Sequence, residues 1–190
     1  MKQSSHQNVS NSFFIPDTLV DLLRSRAEQY PDRLAYRFIQ DGETEIISIT
    51  YGELDRQARA IGAWLETSGA SGERALLLYP PGLDYIASFF GCLYASVTAI
   101  PAYPPRLNRP VPRIQSIVAD SKASFALTTS TILASIEQRF EHAPDLQVLH
   151  WLNTEQTPEV WKQTGTIWTL LLILWLSYNI RLAPLANRRG

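Results

Sequence analysis

The chain has 190 residues, 45% apolar and 18% charged, with 17 basic against 18 acidic side chains. Those totals exclude a collagen-like or disordered chain, and a lone cysteine, Cys92, excludes an internal disulfide framework. A net charge of -1 supplies no electrostatic drive toward nucleic acid or anionic lipid, so neither is expected as a partner. The charge is unevenly placed. Residues 1–159 hold all 18 acids and 13 of the bases, whereas residues 160–190 hold no acid and four bases, Lys162, Arg181, Arg188 and Arg189.

Residues 1–16 open with a polar run, MKQSSHQNVSNS, that lacks the apolar core of a secretory signal, and they read as a flexible leader of a cytoplasmic protein. Asp17 is placed to cap a helix over 18–30, whose Leu19, Leu22, Leu23, Ala27 and Tyr30 recur at helical spacing before Pro31 stops it. Residues 34–40 alternate apolar with polar side chains. Asp41-Gly42 is a tight-turn pair and 45–49 supplies a second strand, which together predict a hairpin. Thr50 and Glu53 have capping-box spacing at the start of a helix whose stripe is Leu54, Ala58, Ile61 and Leu65, ended by Gly69 and Gly72.

The nearly continuous apolar run 74–79 fits a strand covered on both faces, as in parallel sheets. Pro80-Pro81-Gly82 breaks it, a mostly apolar helix follows over 83–96, and a short strand over 97–100 is closed by Pro101. The stretch 101–112, with Pro101, Pro104, Pro105, Pro110 and Pro112, is expected to be an extended loop, neither helix nor central strand. Beyond it the pattern predicts a helix over 113–121, a strand over 124–129, a helix over 132–140 and a strand over 146–151. Such alternation indicates an α/β sheet. The apolar string Leu170–Leu176 falls far short of the roughly 20 residues a membrane span requires, so no span is expected.

Reactive groups are few. His6, His142 and His150 lack metal-ligand spacing and read as surface or loop residues, and Cys92 reads as a buried inert thiol in a helix. Asp84 and Glu53 read as a first-turn acid and a capping residue rather than general bases. Arg106, Arg109 and Arg113 are placed where they could touch a phosphate, but three arginines beside prolines are more simply solvated.

Two segments carry a family likeness. Ile49-Thr50-Tyr51-Gly52-Glu53-Leu54 resembles the (L/I)TYxEL signature of the adenylate-forming superfamily, which includes acyl-CoA synthetases, luciferases and peptide-synthetase adenylation domains, and Leu93–Pro101 (LYASVTAIP) resembles its LxAGxxxVP signature. Within that group, 79–86 (YPPGLDYI), 89–95 (FFGCLYA) and 100–106 (IPAYPPR) look most like the fatty acyl-AMP ligases, and the likeness runs from about Leu19 to His150. It implies an α/β fold: the N-terminal part of the large domain of an adenylate-forming enzyme, an incomplete sheet flanked by helices, over residues 17–161. It further implies an intact enzyme that uses ATP and Mg²⁺ to adenylate a fatty acid and then passes the acyl group to an acyl carrier protein. The family's phosphate loop, adenine-binding strand, magnesium-binding acid and catalytic lysine have no counterpart in this chain. No residue here is therefore assigned a catalytic, cofactor-binding or metal-binding role, and the chain alone is expected to be inactive and to bind no cofactor well. A fragment of an acyl-CoA ligase or peptide-synthetase adenylation domain stands as the alternative. So does a non-catalytic binding or anchor protein that uses its apolar tail.

Family members continue after the position of Trp161 with a run like DTLAFLQYTSGSTGxPKG, whereas this chain reads LILWLSYNIRLAPLANRRG from Leu172 to Gly190. Joining the last base of each codon to the first two of the next allows the family run, since codon degeneracy leaves a matching choice at each step. Trp175 is always TGG, so with Leu176 it gives GCT, alanine. Arg181 through Ala186 then allow TCT, GGC, TCC, ACT and GGC, which spell SGSTG. A base lost, or two gained, between about Trp161 and Leu172 would account for this, and residues 162–190 read as an out-of-frame tail. Such a tail accounts for the missing acids and the apolar run, because out-of-frame sequence is not selected to fold.

Overall fold

The computed structural model describes residues 16–104, 112–138 and 143–157. Most of the leader, His6, His142, Arg106, Arg109 and the tail 162–190 lie outside the described residues.

Helix α1 spans Leu19–Gln29. Its N-cap is Thr18 rather than the expected Asp17. Thr18 Oγ1 accepts the Asp21 amide at 3.0 Å and donates to the Asp21 carboxylate at 2.7 Å, a reciprocal pair that Asp17 is one residue too early to make. Strands β1 (Leu34–Ile39) and β2 (Ile46–Thr50) form the expected antiparallel hairpin. The connection is wider than a two-residue turn, because the Asp41 carboxylate gathers the amides of Glu43, Thr44 and Glu45, each at 2.9 Å. Those bonds hold the Asp41 carboxyl far below the usual carboxylate range.

Helix α2 (Tyr51–Thr67) opens with the expected capping box. Thr50 Oγ1 accepts the Glu53 amide at 3.2 Å while Glu53 Oε2 accepts the Thr50 amide at 2.8 Å. The same bonds hold Glu53 below its ordinary value.

Strand β3 (Arg74–Leu78) leads through α3 (Leu83–Tyr94) to β4 (Thr98–Ala102). Then follow α4 (Pro112–Ser121), β5 (Phe125–Thr128), α5 (Ser130–Glu137), α6 (Pro144–Gln147), β6 (His150–Asn153) and a 3-10 turn over Thr154–Gln156. The four strands lie in the order β4-β3-β5-β6, and each neighbouring pair is parallel.

Two further expectations need correction. Pro101 does not end β4 but sits inside it, which is tolerated because β4 is the edge strand of the sheet formed by the described residues and one of its sides needs no donor there. The strand expected over 146–151 starts at His150 instead. Pro144, whose fixed φ suits a first helical turn, begins the short α6, and Trp151 Nε1 ties that turn down by donating to the Leu146 carbonyl at 2.8 Å.

Alternate residues of the central strands face opposite layers. Ala75, Leu77 and Leu127 pack with α2 and α3, while Leu76, Leu78 and Ala126 pack with α4, α5 and α6. Leu76, Leu77, Leu78 and Leu127 are all wholly buried. Helices α2 and α3 cross with little space between them. A Cβ on Gly91 would sit 2.6 Å from Ile61 Cγ2, and one on Gly62 would sit 2.9 Å from Tyr94 Cβ.

The end of α3 is a Schellman motif. Val97 N–H donates to the Cys92 carbonyl at 2.8 Å and Ser96 N–H to the Leu93 carbonyl at 3.3 Å. The left-handed residue, at φ 57°, is Ser96, where the LxAGxxxVP signature has glycine. An L-residue there carries a steric cost of about 1 kcal/mol. Ser96→Gly is therefore expected to raise stability by about 1 kcal/mol, read as a higher urea midpoint at constant slope.

Candidate functional site at the carboxyl ends of the strands

From β3 the chain crosses outward to β4, and from β5 it crosses the opposite way to β6. The crossovers diverge between β3 and β5, so the crevice outside their carboxyl ends is where an open α/β sheet binds ligands. The residues that follow the apolar strand runs meet there. Ser88 Oγ, on α3, donates to the Tyr79 hydroxyl at 2.8 Å, Tyr79 and Thr154 hydroxyls are 2.9 Å apart, and Thr154 Oγ1 donates to the Thr128 carbonyl at 3.4 Å. Thr128 Oγ1 donates to the Leu78 carbonyl at 2.7 Å. Three strands and one helix are thus tied by side chains whose buried hydroxyls each find a partner.

A second ring lies beside the first. Glu155 accepts from the Ser130 amide at 3.0 Å and from the Ser130 hydroxyl, Asn153 Nδ2 donates to Ser130 Oγ at 2.7 Å, and Asn153 Oδ1 accepts the Glu155 amide at 3.2 Å. The Glu155 carboxylate thereby serves the free amides at the start of α5, which Thr129 leaves without a side-chain cap. Burial, and then the charge of Glu155, raises the Asp84 carboxyl. Burial also holds the Tyr79 phenol above its ordinary value, so Tyr79 acts as a neutral hydrogen-bonding group. Nearby, a cleft of about 350 Å³ lies between the hairpin and the Pro80–Asp84 turn, with Glu53, Gln57 and Asp84 among its lining residues.

Tyr79→Phe removes the centre of the hydroxyl chain and leaves fully buried Ser88 without its acceptor. The expected cost is about 1–3 kcal/mol. A urea midpoint equal to the parent's would show that the chain of hydroxyls contributes nothing to folding.

The residues singled out from sequence do not assemble into this site. Cys92 is wholly buried and its thiol is pushed up to about 12 by burial, which suits packing rather than attack. His150 starts β6 with its ring 5.2 Å from that of Phe125, and Arg113 is exposed on α4. Glu53 is the capping residue and Asp84 lies in the first turn of α3. The residues that do meet, Tyr79, Ser88, Thr128, Ser130, Asn153, Thr154 and Glu155, belong to no reactive motif. Their one sequence signal is position, since most lie at or just past the carboxyl end of an apolar strand run.

This donor set does not fit ATP with Mg²⁺. Its members are neutral hydroxyls, an amide and the Glu155 carboxylate, whose charge is felt by the Asp84 carboxyl on α3. A polyphosphate placed there would meet negative charge and no guanidinium or ammonium group from the network. No group of three or more His, Cys, Asp or Glu that could hold a metal is present among the described residues.

Residues 23–169 match the AMP-binding enzyme family. The chain belongs to that family. It is 43% identical over 150 residues to the medium-chain-fatty-acid--[acyl-carrier-protein] ligase JamA of Moorena producens, a match covering 77% of this chain and 25% of that protein. It is 38% identical over 131 residues to the 4-hydroxyphenylalkanoate adenylyltransferase of Mycobacterium marinum, covering 66% of this chain and 21% of the relative. Among solved structures it resembles the fatty acyl-adenylate ligase of L. pneumophila in complex with acyl adenylate and pyrophosphate, with TM-score 0.67, 32% identity, and coverage of 76% of this chain and 24% of that one. The chain thus spans about a quarter of the length of these relatives. Its parallel sheet flanked by helices is the architecture of the N-terminal domain of adenylate-forming AMP-binding enzymes. No helix among the described residues is long and apolar enough to cross a membrane.

Proposed function

We infer that the chain is part of a cytoplasmic fatty acyl-AMP ligase. The reaction of such an enzyme joins a fatty-acid carboxylate to the α-phosphorus of ATP with loss of pyrophosphate. The thiol of an acyl carrier protein then displaces AMP from the acyl-adenylate. The observation that carries this reading is the 43% identity to the carrier-protein ligase of M. producens, supported by the 32% identity to a solved fatty acyl-adenylate ligase. The similarity to an adenylyltransferase for 4-hydroxyphenylalkanoates favours, as a second reading, an acid with an aryl group.

By itself the chain is proposed to be inactive. ATP and Mg²⁺ serve the intact ligase, and the groups that would neutralise a triphosphate are not among the residues at the strand ends. The reading assigns residues 17–161 to the family domain and residues 162–190 to out-of-frame translation. The test is pyrophosphate release from ATP with a series of medium- and long-chain fatty acids, run on this chain. Release above a no-acid control would overturn the proposed inactivity, and resequencing the locus would overturn the out-of-frame assignment if no shifted open frame follows.

A further inference from the structure

Helices α1 and α2 enclose a cleft of about 770 Å³ that also takes Tyr94, at the end of α3, into its lining. It lies away from the crevice at the carboxyl ends of the strands. Helix α3 starts beside that crevice and ends at the opposite side of the sheet, where the Gly72 amide, just before β3, donates to the Ser96 carbonyl at 3.0 Å. Three arginines line the cleft, Arg24 from α1 and Arg56 and Arg59 from α2.

One buried carboxylate fixes two of them. Asp55 is 6% exposed; its Oδ1 accepts from the Tyr94 hydroxyl and its Oδ2 meets Arg59 Nη2 at 2.6 Å. Tyr94 in turn carries Arg24, whose guanidinium carbon lies 4.8 Å from the ring centroid. Stacking engages the face of a guanidinium and leaves N–H groups in its plane for an acceptor. Taking a carboxylate out of water is costly, and here both of its oxygens hold neighbouring side chains in place. Among the described residues neither Arg24 nor Arg56 forms an ion pair, and Arg59 Nε is buried without an acceptor. Glu28 and Glu66 also line the cleft, and neither pairs with an arginine. The cleft is therefore rich in charged donors and short of acceptors.

We propose that this cleft is an oxyanion site, in which Arg24, Arg56 and Arg59 receive a phosphate or carboxylate group of a small molecule. Planar guanidiniums match the oxygen spacing of such groups, and the cleft has the size of a small-molecule site. An uncharged segment of chain would leave the three guanidiniums unmatched. Asp55 is a positioning residue, which acts through Arg59 and Tyr94 and does not touch the bound group. The site is independent of the ligase reading.

Titration of the full chain with inorganic phosphate at constant ionic strength, followed by NMR, is expected to shift the side-chain Nε–H signals of Arg24, Arg56 and Arg59 saturably. The signal of Arg113, exposed on α4, is expected to stay in place. A parallel titration with acetate separates a carboxylate preference from a phosphate one, and saturation by either supports the site. Arg24→Gln and Arg56→Gln are each expected to raise Kd by about fivefold or more. Asp55→Asn gives the sharper reading. It removes a negative charge, so diffuse attraction would tighten binding, whereas loss of positioning is expected to weaken it by about threefold or more. The titration of the unaltered chain decides the matter should a variant fail to fold. Saturation by neither ion, equal shifts at Arg113, or tighter binding by folded Asp55→Asn would each overturn the proposal.

Discussion

Inserting one base between the codons of Trp161 and Leu172 is expected to yield a longer chain that releases pyrophosphate from ATP in a fatty-acid-dependent way, while the present chain stays at background. The expectation rests on the shifted reading of residues 172–190, whose codon choices allow D-T-L-A-F-L-Q-Y-T-S-G-S-T-G followed by P-K-G. A loop of that composition presents successive backbone amides to phosphate oxygens. Removing a single preorganised donor from a charged transition state costs on the order of 10²–10³ in rate. Losing the whole loop, with the lysine and acid that follow it in the family, is therefore expected to cost more than about 10³-fold. The measurement is a coupled pyrophosphate assay on both chains with the same fatty acids. Equal background rates from a folded, frame-restored chain would sink the frameshift account.

Leu77→Ala is expected to destabilise the chain by about 2–5 kcal/mol, the range for deleting a buried leucine side chain into a site that cannot fully collapse. Leu77 is wholly buried on β3, between β4 and β5, and points into the layer of α2 and α3. That layer has little room to close on a void, because the α2–α3 crossing is already set by the contact of Gly91 with Ile61 and of Gly62 with Tyr94. A loss of that size is a large fraction of the ordinary stability of a domain. Loss of the cooperative urea transition, or a midpoint lowered by the equivalent amount, is the expected reading. A loss below about 1 kcal/mol would show that the α2–α3 layer relaxes around the cavity.

Element types were readable wherever local chemistry decides. The Thr50–Glu53 capping box, the apolar run of β3 and the stripe of α2 each depend on neighbours within one or two turns, and each is where the pattern places it. The exceptions have a common cause. Pro101 lies within a strand because β4 is an edge, and the last strand begins at His150 because α6 intervenes, with Trp151 bonded back to Leu146. Neither an edge position nor a back-bond of that kind is visible in chain order. Ser96 is a subtler case. The signature identified the helix end, but only the backbone angle makes its serine a point of strain.

The amino-acid order was enough for the α/β class and for the family, because both depend on periodicity and on short motifs with their spacing, which survive without coordinates. It was also enough to show that residues 160–190 carry no acidic side chain, since that is a matter of composition. The meeting of Tyr79, Ser88, Thr128 and Thr154 was decided by the tertiary structure alone. Tyr79 and Thr154 stand 75 positions apart, and they touch only because β3, β5 and β6 are neighbouring parallel strands whose carboxyl ends lie at one side of the sheet.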